Sequence, residues 1–364
     1  MNRVVLQIVQ HMKPGGIETM ALDLQHHMKD FDVHIVSLEG KKEDVLENWP
    51  RLKQVESRLH CLDKKPGLQI STVLKLVLLI KRLKAKAVHS HHIGPLTYGG
   101  VAARFCGLKE LVHTEHDAWH LEDPRAATLE QKLIRYLRPT LVADCHTVSK
   151  NLKAIIQEAE PVVIYNGIDT RKFSPATKSE KLKTRQFFKM DEQAFFIGCA
   201  ARMEKVKGLH YLISAMPSLP DYIKLVLAGD GSEKQALNEI VIQLGLRDRV
   251  QFLGRIERMD LFYKSLDMFC LPSLNEGFPL SPLEAQACDI PTIITDVGGA
   301  KEALCATTGQ LIPAKDTDAI NQAIKTLAGR EFQKDTEMVT PRDFVMKHAD
   351  MHLMIGAYSN LLKG

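Results

Sequence analysis

Short apolar runs alternate with segments of helical period along almost the whole chain, and this alternation limits the fold more than any other feature. Continuous apolar strands that alternate with helices are typical of parallel sheets covered by helices on both faces. The alternation forms two series, which predict an α/β protein with two Rossmann-like, doubly wound domains. The predicted strands are residues 4–9, 33–38, 87–90, 111–114 and 141–147 in the first series, and 195–200, 224–228, 250–253, 268–271 and 292–295 in the second.

The chain has 364 residues, enough for two domains at about 100–200 residues each. Residues 166–169 and the polar stretch 174–185, which contains Pro175, predict the linker between them. We expect a first domain over residues 1–168 and a second over 169–341, facing one another across a central cleft. Apolar residues at helical spacing over 342–364 predict one terminal helix that crosses back to the first domain.

Composition narrows the class of protein further. The chain carries 48 basic and 44 acidic residues, a net charge of +4, which is too balanced for an obligate nucleic-acid-binding protein. Its seven cysteines are odd in number and include no Cys-x-x-Cys pair, so we expect free thiols in a reducing compartment. The run 4–9 is interrupted by Gln7 and is too short for a signal peptide. These features predict a cytoplasmic protein.

The sequence leaves open whether the protein contacts a membrane. Residues 71–86 combine an apolar helical pattern with five basic side chains, and a basic amphipathic helix can lie on an anionic membrane. An ordinary helix packed on the first sheet explains the pattern equally well. The longest apolar block, 76–80, is far shorter than the ~20 residues that span a bilayer.

Ligands of doubly wound sheets bind outside the carboxyl ends of the strands, so residues that follow predicted strands are candidates. After the first strand comes Pro14-Gly15-Gly16-Ile17-Glu18. Gly15 and Gly16 permit a close approach of the backbone to a phosphate, and a helix N-terminus attracts anions; a plain turn is the alternative. The Gly-x-Gly-x-x-Gly pattern of dinucleotide-binding proteins is missing here, which disfavours an NAD-dependent enzyme.

Two loops of the second series carry the other candidates. Arg202 and Lys207 flank a loop before Gly208, and an Arg fork with a Lys charge suits a diphosphate, unless the loop is simply solvated. After strand 268–271, a Gly/Pro loop leads to a helix predicted to begin near Pro279, whose amides could bind phosphate. Glu284, about one turn inside that helix, could accept ribose hydroxyls.

Histidines are concentrated in the first series. His89-Ser90-His91-His92 and His113-Thr114-Glu115-His116-Asp117 each follow a predicted strand. Clustered histidines can bind zinc, but neither run has a known ligand spacing with a carboxylate, so we expect no metal site. A histidine that hydrogen-bonds a sugar hydroxyl is the preferred interpretation.

Taken together, these motifs resemble those of glycosyltransferase family 4, whose members are retaining enzymes with the GT-B fold. The similar segments stand in the family's order over most of the chain: 14–18, 166–169 with Phe173, Arg202 with Lys207-Gly208, 227–231, 250–254 and the Glu276–Glu284 pair with its x7 spacing. Two features depart from the family pattern. Glu115, next to His116, could contact the acceptor, but the resemblance assigns it no role. The order of residues around Lys205 also differs, so Lys207 is matched through its adjacent glycine.

The resemblance implies roles for the matching residues. Arg202 and Lys207 would bind the donor diphosphate and stabilise it as a leaving group, and Glu276 would contact the donor sugar. His116 would lie near donor sugar and acceptor. The remaining donor-binding positions would be Gly15, Gly16, Gly277, Phe278, Pro279, Leu280, Ser281 and Glu284.

The implied reaction moves a sugar from a nucleotide-diphosphate sugar to a carbohydrate or lipid-linked acceptor in surface polysaccharide synthesis, without a metal or other cofactor. Three alternatives remain. They are a GT-B nucleotide-sugar epimerase, a catalytically inactive GT-B binding protein and, least favoured, an NAD-dependent oxidoreductase.

Overall fold

The computed structural model describes residues 2–117, 119–156, 159–329 and 339–363. The chain forms two compact units, Met1–Gly167 with His352–Gly364 and Ile168–Met351. Each described unit contains one fully parallel sheet flanked by helices, which confirms the predicted α/β class with two doubly wound domains.

The first unit has a sheet of seven described strands in the order β3-β2-β1-β4-β5-β6-β7. The strands are β1 Arg3–Val9, β2 Phe31–Ser37, β3 Leu59–Cys61, β4 Ala87–His91, β5 Glu110–Glu115, β6 Thr140–Ala143 and β7 Val162–Val163. The helices are α1 Gly16–His27, α2 Lys42–Asn48, α3 Ile70–Leu83, α4 Ile93–Pro95, α5 Val101–Phe105, α6 Pro124–Leu137 and α7 His146–Ile155. One core lies between the sheet and α3, and another lies beneath α1 and α2.

The second unit has six described strands in the order β10-β9-β8-β11-β12-β13. The strands are β8 Phe195–Ala200, β9 Ile223–Ala228, β10 Val250–Gly254, β11 Met268–Leu271, β12 Thr292–Thr295 and β13 Gln310–Ile312. The helices are α8 Lys178–Phe187, α9 Leu209–Ala215, α10 Lys234–Gln243, α11 Met259–Lys264, α12 Leu280–Ala287, α13 Thr317–Ala328 and α14 Pro341–His348, and α15 Met351–Lys363 follows them.

The prediction that residues 174–185 form a linker is wrong from Lys178 onward, because α8 begins there. Thr177 and Glu180 form a capping box, in which each side chain accepts a hydrogen bond from the other residue's backbone amide. Lys178, Glu180 and Lys183 lie on the exposed face of this helix, whereas Arg185 is buried and donates to Asp267 Oδ2 over 2.6 Å. The predicted strand 141–147 is also too long, since β6 ends at Ala143 and α7 begins at His146.

The prediction of one helix over 342–364 is wrong as well. The segment forms two helices that separate at Ala349 and Asp350. There the chain pairs with Ile168: the Ile168 amide donates to the Ala349 carbonyl (2.8 Å), and the Met351 amide donates to the Ile168 carbonyl (3.0 Å). These bonds replace helical bonds, so α14 belongs to the second unit, while residues 352–364 belong to the first.

Candidate functional site

In each sheet the strand order reverses between two neighbouring strands, β1 and β4 in the first and β8 and β11 in the second. Loops that leave the carboxyl ends of such strands diverge to opposite faces and form a crevice, where doubly wound proteins bind their ligands. The candidate residues of the second unit follow β8 and β11. In the first unit the glycine pair follows β1, whereas His89, Ser90 and His91 lie within β4 and only His92 follows it.

In the second unit, the structure brings together two of the predicted residues, Lys207 and Glu276. Lys207 Nζ donates a hydrogen bond to Glu276 Oε1 over 2.7 Å, and both side chains are largely buried. Ser273 Oγ donates to the same carboxylate oxygen. The lysine charge is thus held at a fixed place at the end of β11 rather than on a mobile surface side chain.

Arg202 lies on the same loop as Lys207, after β8, and its side chain is far more exposed than that of Lys207. Its guanidinium donates to Glu204 Oε1 over 2.7 Å, yet 63% of the side chain is exposed. An exposed ion pair of this kind is weak, so a diphosphate could replace Glu204 at little cost. Arg202 therefore supplies a movable cation and Lys207 a fixed one.

Two glycines allow these loops to lie close together. Gly208 adopts a φ of +61°, and a Cβ there would lie 2.2 Å from the Pro272 carbonyl oxygen. Gly298 adopts a φ of +52°, and a Cβ there would lie 1.9 Å from the Glu276 carbonyl oxygen. Side chains at these positions would push apart the loops that carry Lys207 and Glu276.

Helix α12 begins at Leu280, directly after Pro279, as the sequence predicts. Glu284 lies within it and accepts a hydrogen bond from Tyr263 Oη (2.6 Å). Burial, with the adjacent Glu284 carboxylate, raises the pKa of Tyr263 well above its usual range, so this phenol remains a donor and orients Glu284. Of the other predicted donor-binding residues, Phe278 and Pro279 are buried, whereas Gly277, Leu280 and Ser281 are half-buried.

The glycine pair of the first unit is placed as predicted at the start of α1, with Gly15 as the residue before the first turn. A Cβ on Gly15 would lie 2.5 Å from Glu18 Oε2, and Glu18 Oε1 lies 3.1 Å from His11 Nδ1. The absence of a side chain at Gly15 thus accommodates the buried Glu18 carboxylate. Phosphate binding by Gly15 and Gly16 stays a prediction.

His116 lies at the end of β5 in a buried polar chain that the sequence analysis missed. Its Nε2 lies 3.0 Å from His91 Nδ1, and His91 Nε2 donates to Gln7 Oε1 over 2.8 Å. Its Nδ1 lies 3.5 Å from Asp144 Oδ2. Burial, together with the nearby His92, lowers the pKa of His116 to about 3, so the ring is neutral near pH 7 and can accept a hydrogen bond. The one signal in the sequence is that Gln7 and His91 interrupt apolar strands.

The structure also gathers histidines and carboxylates that the sequence does not connect. Ligand atoms of His92, Asp117 and His120 lie within 4.8 Å of one another, and so do those of His113, Glu115 and Glu130. Burial opposes the charged form of His92, but the Glu115 carboxylate outweighs it and raises the pKa of His92 to about 9. The ligand spacing in the sequence does not reveal these groups, because strand pairing and the loops bring Asp117, Glu115 and Glu130 beside the rings.

Two family models match the chain. "Glycosyltransferase Family 4" matches residues 14–172, and "Glycosyl transferases group 1" matches residues 180–339. The first match spans β2 to β7 and the second spans β8 to β13.

Among curated proteins, the lipopolysaccharide core biosynthesis mannosyltransferase LpsB of Rhizobium meliloti is 34% identical over 173 residues, covering 44% of this chain and 48% of that protein. The UDP-Gal:alpha-D-GlcNAc-diphosphoundecaprenol alpha-1,3-galactosyltransferase of Escherichia coli is 27% identical over 289 residues, covering 74% of this chain and 73% of that protein. The chain spans about half the length of LpsB and of two further curated relatives that it matches.

Among solved structures, Anabaena HepE in complex with UDP and glucose superimposes with a TM-score of 0.84 over the full length of both chains, at 21% identity. This likeness is one of fold. It agrees with the strand orders and the two parallel sheets described above.

Proposed function

Since the chain belongs to the GT-B glycosyltransferases of family 4, we propose that it transfers a sugar from a nucleotide-diphosphate sugar to an acceptor hydroxyl, with retention of anomeric configuration. The observation that carries the proposal is the buried Lys207–Glu276 pair, held by two loops at the strand-order reversal of the second sheet. It combines a cation for phosphate with a carboxylate for sugar hydroxyls.

The transition state of this reaction develops negative charge on the departing diphosphate. The bond between the anomeric carbon and the phosphate oxygen breaks, the acceptor oxygen bonds to that carbon on the same face, and the acceptor proton passes to the departing phosphate. Lys207, Arg202 and the amides at the start of α12 would stabilise that charge. With these groups present, the diphosphate itself needs no divalent cation.

His116 and Glu276 would act on hydroxyl groups rather than on phosphate. Because His91 Nε2 donates to Gln7, His91 Nδ1 accepts from His116 Nε2. Neutral His116 would therefore accept a hydrogen bond from a sugar hydroxyl through Nδ1, the nitrogen that faces Asp144. Glu276 Oε1 is shared by Lys207 and Ser273, which leaves its other oxygen to accept from the donor sugar. Glu284, oriented by Tyr263, would bind the ribose hydroxyls.

A glycan or lipid-linked glycan of a surface polysaccharide is the acceptor we propose. The support comes from the relatives: one acts on a diphosphoundecaprenol-linked sugar, according to its name, and another is named for lipopolysaccharide core synthesis. Such acceptors lie at a membrane, so the protein needs a surface that brings it there.

Helix α3 offers that surface, because it packs on the sheet and still exposes apolar side chains. Leu76, Val77 and Ile80 are buried in the core of the first unit. Ile70, Leu74 and Leu78 lie one turn apart on the opposite face and are 75%, 58% and 67% exposed. Lys75, Lys81 and Arg82 are exposed beside them, so we propose that α3 lies on an anionic membrane surface. Among the described helices, none combines the length and apolar character that spanning a bilayer requires.

A thermal-unfolding panel with UDP, GDP, ADP, their common sugar conjugates and NAD tests the proposed function. A ligand at about 100 times its dissociation constant adds about 2.7 kcal/mol of stability, which raises the unfolding midpoint by several degrees. We expect one nucleoside diphosphate and its sugar conjugate to give this shift. A shift with NAD alone, or with none of these compounds, would contradict the proposal.

The membrane surface is tested with the variant Leu74→Gln/Leu78→Gln and vesicles that contain anionic lipid. A fully buried leucine contributes about 1.5–3 kcal/mol, so we expect at least about tenfold weaker co-sedimentation than for the unaltered protein. Phe187→Gln removes an apolar side chain of similar exposure from the second unit and is the matched control. Equal binding to neutral and anionic vesicles would refute the role of the basic residues.

A further inference from the structure

We propose that His92, Asp117 and His120 of the first unit form a binding site for a divalent transition-metal ion, with Zn²⁺ the ion that fits best. The three residues lie in loops after β4 and β5, and ligand atoms of all three lie within 4.8 Å of one another. The site belongs to a single unit and involves none of the residues assigned to the donor diphosphate.

The distances within the cluster suit a shared ion better than direct hydrogen bonds. His92 Nε2 lies 3.7 Å from Asp117 Oδ2, and His120 Nδ1 lies 3.7 Å from Asp117 Oδ1. Hydrogen bonds between such atoms are about 2.7–3.2 Å long. Two ligands placed about 2.1 Å from a tetrahedral Zn²⁺ are about 3.4 Å apart, close to the observed separations.

The tautomers of both histidines leave the required nitrogens free of protons when the rings are neutral. His92 Nδ1 donates to Glu115 Oε2 over 2.8 Å, and His120 Nε2 donates to Glu130 Oε2 over 2.7 Å. The lone pair of each neutral ring is then on His92 Nε2 and His120 Nδ1, the atoms nearest Asp117. Metal-binding histidines are commonly held in this way by a carboxylate on the other ring nitrogen.

The two supporting carboxylates are themselves unusual. Glu115 and Glu130 are fully buried. Glu115 Oε1 lies 2.8 Å from His113 Nε2, and Glu130 Oε1 lacks a hydrogen-bond partner among the described residues. Burying carboxylates is costly unless the position is needed. Both are explained if their task is to fix two imidazole rings around a cation.

The backbone conformation of His92 also supports a binding site. His92 has φ +66° and ψ 166°, a conformation that is almost confined to glycine, and strain of this kind is concentrated at functional positions. Because His92, Asp117 and His120 are each about one-quarter exposed, an ion held there would keep a coordination position open to solvent. Two imidazoles and one carboxylate favour Zn²⁺ or a neighbouring transition metal over Mg²⁺ or Ca²⁺.

The experiment uses the full chain, stripped with a chelator and dialysed against Zn²⁺, with bound metal measured by elemental analysis and affinity measured by calorimetry. We expect one tightly bound equivalent and at least tenfold weaker binding by His92→Gln, His120→Gln and Asp117→Asn. Glu130→Gln should weaken binding by about 10–100-fold through loss of its support for His120. His210→Gln, which alters a half-buried histidine of the second unit, is the control and should not change the affinity.

Two outcomes would overturn the proposal. One is less than a quarter of an equivalent of Zn²⁺ on the unaltered protein. The other is unchanged Zn²⁺ affinity in His92→Gln and Asp117→Asn together with loss in Glu130→Gln, which would place the ion on His113, Glu115 and Glu130 instead. Far-ultraviolet circular dichroism of each variant separates loss of the site from loss of the fold, and Asp117→Asn, which keeps the size of a side chain about one-quarter exposed, is the variant least expected to perturb folding.

Discussion

Replacing Lys207 with alanine should slow sugar transfer by about 10²–10³-fold, because it removes a fixed cation from the departing diphosphate. The measurement is the initial rate of nucleoside diphosphate release, with the donor that the unfolding panel identifies. Lys205→Ala is the matched control, since both lysines lie in the short 3₁₀ turn Lys205–Lys207 and only Lys207 bonds Glu276. Lys205 is exposed, so its removal should leave the rate within about twofold of normal.

A loss of stability would imitate a loss of catalysis and must be separated from it. Lys207→Ala leaves the buried Glu276 carboxylate without its cation, which lowers stability. The double variant Lys207→Ala/Glu276→Gln removes both charges, so we expect its unfolding midpoint to recover while transfer stays low. Near-normal transfer by a folded Lys207→Ala would exclude Lys207 from the diphosphate site.

Replacing Gly298 with alanine should lower the free energy of unfolding of the second unit by about 3 kcal/mol or more. The new Cβ would lie 1.9 Å from the Glu276 carbonyl oxygen, and the backbone has a φ of +52°. Relief requires a movement of the loop that carries Glu276, so donor binding should weaken as well. Urea unfolding and calorimetry with the identified nucleotide sugar measure the two effects.

The control for this substitution is Gly245→Ala. Gly245 also has a positive φ, +68°, but nothing lies within 4 Å of a Cβ built there. This substitution should lower the free energy of unfolding by only about 1–2 kcal/mol, the cost of a left-handed conformation for alanine. It should leave the affinity for the donor unchanged. If the two variants are equally stable, the close approach between Gly298 and Glu276 does not affect the free energy of unfolding.

The parallel strands were predictable because their signal is local. Each of the ten predicted strands overlaps an observed one, since continuous apolar runs suit an element buried on both faces. The strands β3, β7 and β13, of two or three residues each, carry no such pattern, and tertiary pairing alone creates them. The break at Asp350 is likewise absent from the sequence pattern, because it arises from bonds to Ile168, far away along the chain.

Some features of the candidate site were likewise predictable from the sequence, and others depended on tertiary structure. The sequence by itself determined two doubly wound sheets, the loops with Arg202, Lys207 and Glu276, and the family, because apolar pattern and motif spacing are properties of short segments. Tertiary structure alone decided that Lys207 pairs with Glu276, that His91 and Gln7 hold His116, and that Glu115 and Glu130 orient His92 and His120. The physical reason is strand register: the pairing of β4 with β5 sets His91 opposite Thr114, and so joins two histidine runs that the sequence keeps more than twenty residues apart.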